Sequence, residues 1–592
     1  MTTCLYNVKG KWRVSLAPEV DVTYWSRKGM AIREGRSYRS MAWAMRDWHQ
    51  LQNSGTWLGR IVGRETRVDQ QSTGLEKGID EDSWRFCASL WGEWRKLLGG
   101  RSLLLHEVER LLEARWEGGP ERGALPYEWL RRVLQFGVLE REVRLTSAIR
   151  LIGGQAAWVC ERCQAGRDRL IPTKCARCGG TCYYCDNCLL LGRSSACEPL
   201  LQFAEGADIR EERVSKPLAS EVTAPFLCTA VLQRGSAGVT AGERRAAGEG
   251  VALVRKSKQP TMLLWAVTGA GKTEMTFAVV SHVLNRGGRV AVATPRKDVV
   301  NELTPRFREA FPSVRLVKLH GESGQKWQDG ELVIATTHQL LRRYRAFDLI
   351  IVDEVDAFPY SHNEPLKAGI RRALKEGGQQ LWLTATPPRS WQKAFRRGKL
   401  PGVTIPARYH GHPLPEPVIV LERRLWERVR RNLPIPSVVK FFTDVRQVDG
   451  QAYVFVPSLS YLTPVLNWMN VHVPGVRAAS VSSRDRARAE KVERFREKAF
   501  DCLVTTTILE RGVTVANAHV LILQADHPIF DEAALVQMSG RSGRSASFPS
   551  GSVSWVTTEH TRELRRAFKH IRSMNQEARE HGWLQSNPAT SS

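Results

Sequence analysis

The stretch Ala266-Val267-Thr268-Gly269-Ala270-Gly271-Lys272-Thr273 lies between an apolar run typical of a buried strand and a segment typical of a helix. In this setting glycines let backbone N–H groups close around phosphate oxygens. Lys272 can neutralise the β and γ phosphates of ATP, and the Thr273 hydroxyl can coordinate Mg²⁺. Ala266 replaces the first glycine of the strict motif, but Gly269 and Gly271 still form the apex of the loop. The sequence therefore predicts an ATP and Mg²⁺ site formed by Thr268, Gly269, Ala270, Gly271, Lys272, Thr273 and Glu274.

A pair of carboxylates follows a second predicted strand. Leu349–Val352 is apolar and runs into Asp353-Glu354-Val355-Asp356. Ligands of open α/β sheets bind at the carboxyl ends of the strands. Asp353 can hold Mg²⁺ through its water shell, and Glu354 can orient or deprotonate the attacking water. An acidic strand end alone is more often a solvated turn, but together with the phosphate loop it predicts a hydrolytic site.

Two further motifs belong to the predicted nucleotide site. Thr384-Ala385-Thr386 ends a strand candidate, where small hydroxyl residues can link the site to movement between domains. The motif starts at Gln537, itself a candidate catalytic residue, and carries Arg541 and Arg544 three residues apart, which would face the same way on a helix. These arginines are candidates to reach the γ phosphate across a cleft and to make hydrolysis depend on closure. A basic surface turn is the alternative interpretation.

The fold class follows from the pattern after Thr261. Apolar strand candidates alternate there with helical stretches, as in parallel α/β domains whose sheets are covered on both faces. The proline-rich residues 387–435 separate two such series and are the predicted domain junction. The strand candidates are Met262–Val267, Val290–Ala293, Leu349–Val352 and Leu381–Thr384, then Tyr453–Val456, Cys502–Thr505 and Val520–Leu523.

Length and charge restrict the class of partner. The chain has 592 residues, too many for one hydrophobic core, so three or four domains are expected. Its 87 Lys and Arg against 61 Asp and Glu give a formal net charge of +26, which suits nucleic acid, although a genomic bias toward arginine would give the same balance. A local excess of basic residues comprises Arg389, Lys393, Arg396, Arg397, Lys399, Arg408, Arg423, Arg424, Arg428, Arg430 and Arg431, against only Glu416, Glu422 and Glu427.

Eight of the twelve cysteines fall between residues 160 and 197. Paired Cys-x2-Cys knuckles hold Zn²⁺ tetrahedrally and fold segments too small for a core of their own. Spacing alone leaves open whether Cys160 and Cys163 pair with Cys175 and Cys178, and whether Cys175, Cys178, Cys182 and Cys197 bind a second ion. The start Met1–Tyr6 lacks the features of a signal peptide, and no apolar run approaches about 18–20 residues, so we expect a reducing compartment and at most peripheral membrane contact.

The N-terminal region, residues 1–150, holds ten of the 19 tryptophans and no metal or phosphate motif. Trp91 and Trp94 lie in a segment that predicts an amphipathic helix stopped by Gly99-Gly100. Core packing is the favoured interpretation of these tryptophans, and base stacking or partner contacts are the alternative. The sequence predicts a largely helical region whose role it does not reveal.

In their order along the chain, the phosphate loop, Asp353-Glu354-Val355-Asp356, Thr384-Ala385-Thr386 and the arginine motif resemble superfamily 2 helicases, which implies two RecA-like parallel-sheet domains in tandem. From about residue 155 to residue 578 the chain is similar to the ComFA family of late-competence DNA-uptake helicases. The runs that carry this similarity are Trp265–Val267 with Gly269–Met275, Ala293–Arg296, Thr336–Leu341, Asp353–Tyr360, Ile405–Arg408, Thr505–Val515, Lys569–Ile571 and Met574-Asn575.

The ComFA resemblance implies an ATP-dependent translocase that draws single-stranded DNA into the cell during natural transformation. It would work at the cytoplasmic face of the membrane with the uptake channel and cytoplasmic competence proteins. It assigns the zinc ligands to Cys160, Cys163, Cys185 and Cys188, and DNA-strand contacts or domain coupling to Thr294, Arg296, Thr337, Thr505 and Gly512. The expected organisation is an N-terminal region at 1–150, a zinc module at 151–200 and RecA-like domains at 201–410 and 411–592.

One position departs from the helicase pattern. Where such helicases carry a glutamine before the phosphate loop, this chain has Glu243, and a carboxylate cannot donate to adenine as an amide does. Strict adenine selectivity is therefore not predicted. Two alternative functions remain, a primosomal replication-restart helicase and a non-motor ATP-dependent scaffold. A restart helicase would carry its cysteine cluster within or between the motor domains, whereas here the cluster precedes Lys272.

Overall fold

The computed structural model describes residues 3–32, 34–38, 40–53, 77–116, 126–152, 157–204, 241–257, 259–357, 360, 363–507 and 515–585. The chain divides into two compact units. The first comprises residues 1–223, 283–352 and 357–380, and the second comprises residues 224–282, 353–356 and 381–592.

The N-terminal region of the first unit packs helices against two small antiparallel sheets of three strands each, one with Thr3–Val8 and the other with Pro199–Phe203 as its central strand. Trp91 and Trp94 are buried on α3 and Gly99 caps its end, which confirms core packing for both tryptophans. The elements of this region are β1 (Thr3–Val8), β2 (Lys11–Ser15), α1 (Pro18–Arg27), β3 (Glu34–Tyr38), α2 (Met41–Asn53), α3 (Glu81–Leu98), β4 (Arg101–Leu104), α4 (Leu105–Arg115), α5 (Tyr127–Leu139) and β5 (Val143–Ser147).

The cysteine-rich segment consists of two antiparallel hairpins and short 3₁₀ turns. It ends in a strand that lies between β4 and β5, so the segment is tied directly to the N-terminal region. Its elements are β6 (Ile149–Ile152), β7 (Ala157–Cys160), β8 (Leu170–Cys175), β9 (Gly180–Cys185), the 3₁₀ turns Arg167–Arg169 and Asp186–Leu191, and β10 (Pro199–Phe203).

The first parallel sheet has seven strands in the order β13-β14-β12-β15-β16-β11-β17. Its central strands are almost entirely buried and mostly apolar, as expected for a sheet covered on both faces. Its elements are α6 (Ala241–Lys256), β11 (Thr261–Ala266), α7 (Lys272–Leu284), β12 (Val290–Thr294), α8 (Lys297–Ala310), β13 (Leu316–Leu319), β14 (Leu332–Thr336), β15 (Phe347–Val352), α9 (Glu364–Arg372), β16 (Leu374–Thr384), α10 (Arg389–Arg396) and β17 (Gly402–Ile405).

The second parallel sheet has six strands in the order β18-β23-β22-β19-β21-β20. Its core includes Phe441, Phe442 and Trp468 from the covering helices. Its elements are β18 (Val418–Leu421), α11 (Leu425–Arg430), α12 (Pro436–Gln447), β19 (Gln451–Phe455), α13 (Leu462–His472), β20 (Ala478–Val481), α14 (Arg488–Arg496), β21 (Cys502–Thr505), β22 (Ala518–Leu523), α15 (Glu532–Ser539), β23 (Val553–Thr557) and α16 (Arg562–Glu580).

The predicted fold class, two parallel-sheet α/β domains in tandem behind a cysteine-rich module, is confirmed. The predicted strands are present, but β16 begins at Leu374, seven residues earlier than expected. Its first part, Lys375–Gly378, is polar and rich in glycine, so local composition does not mark it as a strand. Among the described residues, no helix combines the length and hydropathy needed to cross a bilayer.

Candidate functional site

The phosphate loop connects β11 to α7 and is shaped by two glycines. Gly269 and Gly271 have φ values of +81° and +76°, a left-handed conformation that side chains with a Cβ rarely adopt. The helix begins at Lys272, so Lys272 and Thr273 lie in the first helical turn. Backbone N–H groups of a first turn have no partner within the helix and attract anions. The loop therefore has the geometry of a phosphate cradle.

The two predicted catalytic carboxylates lie directly after β15. Glu354 has a φ of +54°, and its N–H donates to Asp353 Oδ1 at 2.9 Å. A left-handed glutamate costs conformational energy and persists only where the surrounding structure holds it, commonly at functional sites. Both side chains are partly exposed at the end of the strand. They can therefore reach a ligand and the solvent.

Asp356 connects this acidic turn to the Thr384-Ala385-Thr386 motif. Thr384 Oγ1 donates to Asp356 Oδ1 at 2.6 Å, and Thr386 Oγ1 donates to Asp356 Oδ2 at 2.7 Å. Gln537 Nε2 lies 3.5 Å from Thr386 Oγ1. The structure thus brings Gln537 to the hydroxyl motif, through which it reaches the acidic turn.

The arginine motif does not continue a helix, contrary to the sequence expectation. Helix α15 ends at Ser539, and Arg541 and Arg544 lie in the turn that follows. Within this turn Gly543 has a φ of +65°, a left-handed conformation outside helical geometry that lies between the two arginines. Arg541 is 1% exposed, whereas Arg544 is partly exposed and its Nε donates to the Gly540 carbonyl at 3.0 Å. The two guanidiniums are therefore set by a buried turn rather than by helical spacing.

Gly540 and Arg408, which the sequence did not place in the nucleotide site, join this turn to the phosphate loop. A Cβ built on Gly540 would lie 2.8 Å from Thr268 Cγ2, so only glycine fits there. The Arg408 guanidinium donates to the Gly543 carbonyl, and its side chain packs beside Gly269. His410 Nε2 lies 3.1 Å from the same carbonyl. The arginine turn and the phosphate loop are therefore in direct contact.

Arg408 does not belong to the exposed basic surface that the excess of basic residues between Arg389 and Arg431 predicts. It is 2% exposed, and burial lowers its pKa to about 9. A guanidinium in this position cannot track DNA phosphates on the surface. Lys393, Arg396, Arg397 and Lys399, by contrast, are exposed on or just after α10.

We expect Gly540→Ala to slow ATP turnover by about fivefold to about a hundredfold. The added methyl group would overlap Thr268, and overpacking of this kind costs about 1–3 kcal/mol, which corresponds to that range of rates. Steady-state ATPase assays would measure the effect. Gly248→Ala on α6 is the matched control because a Cβ there has no neighbour within 4 Å. Unchanged turnover in Gly540→Ala would contradict the contact.

The residues implied in DNA contacts occupy different settings. Thr294 ends β12 and Thr337 follows β14, and these strands pair so that Thr294 is opposite Thr336. Thr294 and Thr337 are fully buried, and Thr505 at the end of β21 is buried as well. Arg296 is partly exposed and donates to Asp298 Oδ2 at 2.6 Å. Gly512 and the side chain of Glu243 lie outside the described residues.

The cysteine cluster implied by the resemblance is assembled in the structure. The Sγ atoms of Cys160 and Cys188 are 3.8 Å apart, and those of Cys163 and Cys185 are 3.5 Å apart. All four ligand atoms lie within 4.8 Å of one another, and all four residues are buried. Four sulfurs at the corners of a zinc tetrahedron with Zn–S bonds of about 2.3 Å would be about 3.8 Å apart. The four thiols therefore fit one Zn²⁺, and Cys160 and Cys163 do not pair with Cys175 and Cys178.

A buried ion network links this cluster to the first parallel sheet. Glu107 on α4 accepts from Arg162 Nη2 at 2.7 Å and from Arg342 Nε at 2.8 Å. Arg162 lies between Cys160 and Cys163, and Arg342 ends the 3₁₀ turn Thr337–Arg342 and also donates to the Leu191 carbonyl. Burial raises the pKa of Glu107, but the two guanidiniums outweigh it and lower the pKa to about 2. No spacing in the sequence signals this network, because its members are far apart along the chain.

Three family models match successive parts of the chain. The competence protein ComFA N-terminal domain matches residues 93–202, the type III restriction enzyme res subunit matches residues 240–389, and the helicase conserved C-terminal domain matches residues 436–546. The first match reaches into the N-terminal region, for which the sequence alone showed no resemblance. The match to the helicase models agrees with the nucleotide-site geometry and identifies the chain as a superfamily 2 helicase.

Curated relatives agree with these matches. The competence protein ComFA of Bacillus subtilis (strain 168) is 40% identical over 395 residues, which cover 66% of this chain and 80% of the relative. The competence protein ComFA of Streptococcus pneumoniae (strain ATCC BAA-255 / R6) is 35% identical over 416 residues, which cover 68% and 90%. A structure of RecG bound to a three-way DNA junction is 20% identical, covers 65% of this chain and 51% of that one, and has a TM-score of 0.44. The chain therefore belongs to the ComFA family of competence proteins and is an ATP-dependent helicase or ATPase of that family.

Proposed function

We propose that the protein is a DNA-dependent ATPase that translocates along single-stranded DNA and drives its uptake during natural transformation. The observation that carries this proposal is the contact of the arginine turn with the phosphate loop through Gly540, Thr268 and Arg408. Such a contact makes the hydrolytic site sensitive to movement of the segment that carries the arginines, as a motor requires.

Most of the predicted site residues have a direct role in this hydrolysis. The loop Thr268–Thr273 binds the phosphates, and Lys272 offsets the charge that develops on them. Mg²⁺, when bound, would neutralise phosphate charge beside Thr273 and Asp353. Glu354 orients the attacking water and accepts its proton. Arg541 and Arg544 stabilise the transition state at the γ phosphate, and Glu274 completes the first turn of α7.

The thiols of Cys160, Cys163, Cys185 and Cys188 hold a structural Zn²⁺ in this proposal. Arg162 and Arg342 then transmit the rigidity of that site to the turn that begins at Thr337. Buried Thr294, Thr337 and Thr505 position the ends of their strands, and partly exposed Arg296 contacts the DNA strand. The contact expected of Gly512 lies outside the described residues. The proposed partners are single-stranded DNA, the uptake channel and cytoplasmic competence proteins. The protein would associate peripherally with the inner face of the membrane to reach them.

The experiment that separates the candidate functions is ATPase activity with different nucleic acids. We expect single-stranded DNA to stimulate turnover more than duplex DNA or RNA. Preference for forked DNA would favour a replication-restart helicase, and turnover that no nucleic acid changes would favour a non-motor scaffold. Measuring GTP beside ATP would show whether Glu243 relaxes selectivity for adenine.

DNA binding should be electrostatic and blind to sequence, because a motor must pass every base. On single strands each neutralised phosphate contributes a slope of about −0.7 in log affinity against log salt, so about five or six contacts predict a slope near about −4. We expect Arg396→Ala/Arg397→Ala to flatten this slope by about one unit, because both side chains are exposed. Fluorescence anisotropy between about 50 and 200 mM salt measures it.

The control for the salt slope is Arg562→Ala/Arg565→Ala, which removes the same charge from exposed positions of α16. Its slope should equal that of the wild type. A wild-type affinity that does not change with salt would contradict phosphate tracking. Stacking of bases on aromatic side chains would then be the better explanation.

A further inference from the structure

A second set of four cysteines lies beside the zinc cluster described above. Cys175 ends β8, Cys178 lies in the following turn, Cys182 is in β9, and Cys197 precedes β10. Their Sγ atoms all lie within 4.8 Å of one another. Every cysteine between residues 160 and 197 therefore belongs to one of two separate tetrads.

The distances within this tetrad fit a metal rather than a disulfide. Cys175 Sγ and Cys197 Sγ are 3.7 Å apart. A disulfide would bring two sulfurs to about 2.05 Å, whereas two thiolates on one tetrahedral Zn²⁺ are about 3.8 Å apart. The first tetrad shows the same range, 3.5 to 3.8 Å. The second tetrad thus has the same spacing as the first.

Backbone hydrogen bonds bring Cys197 to the hairpin. Ala196 N donates to the Tyr183 carbonyl at 2.9 Å, and Cys185 N donates to the Ser194 carbonyl at 3.1 Å. The segment before Cys197 therefore runs antiparallel to β9, which sets Cys197 beside Cys182. Only Glu198 separates Cys197 from β10, the central strand of its sheet. A metal here would anchor the tip of the β8–β9 hairpin to that sheet.

The β8–β9 hairpin buries few apolar side chains that could keep the four cysteines in position. Of the six residues of β8 only Leu170 is buried, and Ile171 is 40% exposed. A segment that cannot bury a core commonly depends on a metal, whose binding energy then serves as folding energy. Exposed Lys174 and Arg177 beside the thiols can offset the negative charge of a zinc tetrathiolate.

We propose that Cys175, Cys178, Cys182 and Cys197 form a second structural zinc site that fastens the β8–β9 hairpin to β10. The site does not depend on the proposed motor activity. Its ligands are less enclosed than those of the first site, because Cys175 and Cys178 are partly exposed, whereas Cys160, Cys163, Cys185 and Cys188 are all buried. A chelator should therefore remove the second ion before the first.

The test is the metal content of the full-length chain purified without chelators. Elemental analysis for zinc and iron should find two Zn²⁺ per wild-type chain and one per Cys175→Ser/Cys178→Ser chain. Cys87→Ser, which replaces a buried thiol of the N-terminal core, is the control and should retain two. One zinc in the wild type, iron in place of zinc, or two zinc ions in the double variant would overturn the proposal.

A second measurement applies whether or not the double variant folds. Wild-type protein freed of metal and titrated with Co²⁺ should develop the absorption of tetrahedral thiolate coordination up to two equivalents. A chromophoric chelator added to the zinc protein should release the metal in two phases of equal size. Saturation at one equivalent, or release of one ion in a single phase, would show that the second tetrad binds no metal.

Discussion

ATP turnover by the Lys272→Ala variant is expected to fall by roughly a thousandfold or more, with the chain still folded. Lys272 opens α7 at the end of the phosphate loop, and in the proposed mechanism its charge offsets that of the β and γ phosphates. Removing one preorganised group that stabilises developing charge commonly costs about 10²–10³ in rate, and loss of the ground-state phosphate contact adds to this. Steady-state ATPase assays with saturating single-stranded DNA measure the effect.

Glu354→Gln separates binding from chemistry in the same site. The amide keeps the size of the side chain and its position on the left-handed turn but cannot accept the proton of the attacking water. We therefore expect ATP to bind with nearly wild-type affinity while hydrolysis is lost. Lys440→Ala, which removes an exposed lysine on α12, is the charge-matched control for Lys272→Ala. Turnover within about tenfold of wild type in either site variant would refute the assignment.

Glu107→Ala is expected to destabilise the first unit by about 3–5 kcal/mol, because it leaves Arg162 and Arg342 buried without their shared carboxylate. Denaturant unfolding followed by tryptophan fluorescence measures the change, since Trp91 and Trp94 lie in the core of the same unit. Glu113→Ala on α4 is the control, because this glutamate is exposed on the same helix. A loss below about 1 kcal/mol would show that the network contributes little.

The pH dependence of stability gives an independent check on Glu107. Its pKa is held at about 2, below the ordinary value of 4.5. A carboxylate whose pKa is lowered by folding stabilises the fold fully above its unfolded pKa and loses this contribution as the pH falls through the folded value. We expect the wild type to lose stability between about pH 4.5 and pH 2, and Glu107→Ala to lose less over the same interval.

The sequence alone determined the local parts of the nucleotide site. Gly269, Gly271 and Lys272 are neighbours in the chain, and backbone conformation and the start of α7 follow from that short stretch. The same holds for Asp353 and Glu354 at the end of an apolar strand, and for the strands themselves, whose apolar runs mark burial on both faces. Local pattern was sufficient there because the interactions are formed within a few residues.

The tertiary structure alone decided which distant groups meet. Helical spacing misplaced Arg541 and Arg544, because α15 ends at Ser539 and the turn that follows contains left-handed Gly543 and packs Gly540 on Thr268. The excess of basic residues around Arg408 predicted an exposed side chain, but the Arg408 guanidinium is buried and donates to the Gly543 carbonyl. Cysteine spacing allowed several pairings, which the hairpins resolved into two tetrads. In each case the partner is remote in sequence, and only the packed chain fixes whether a charge or thiol meets water, another residue or a metal.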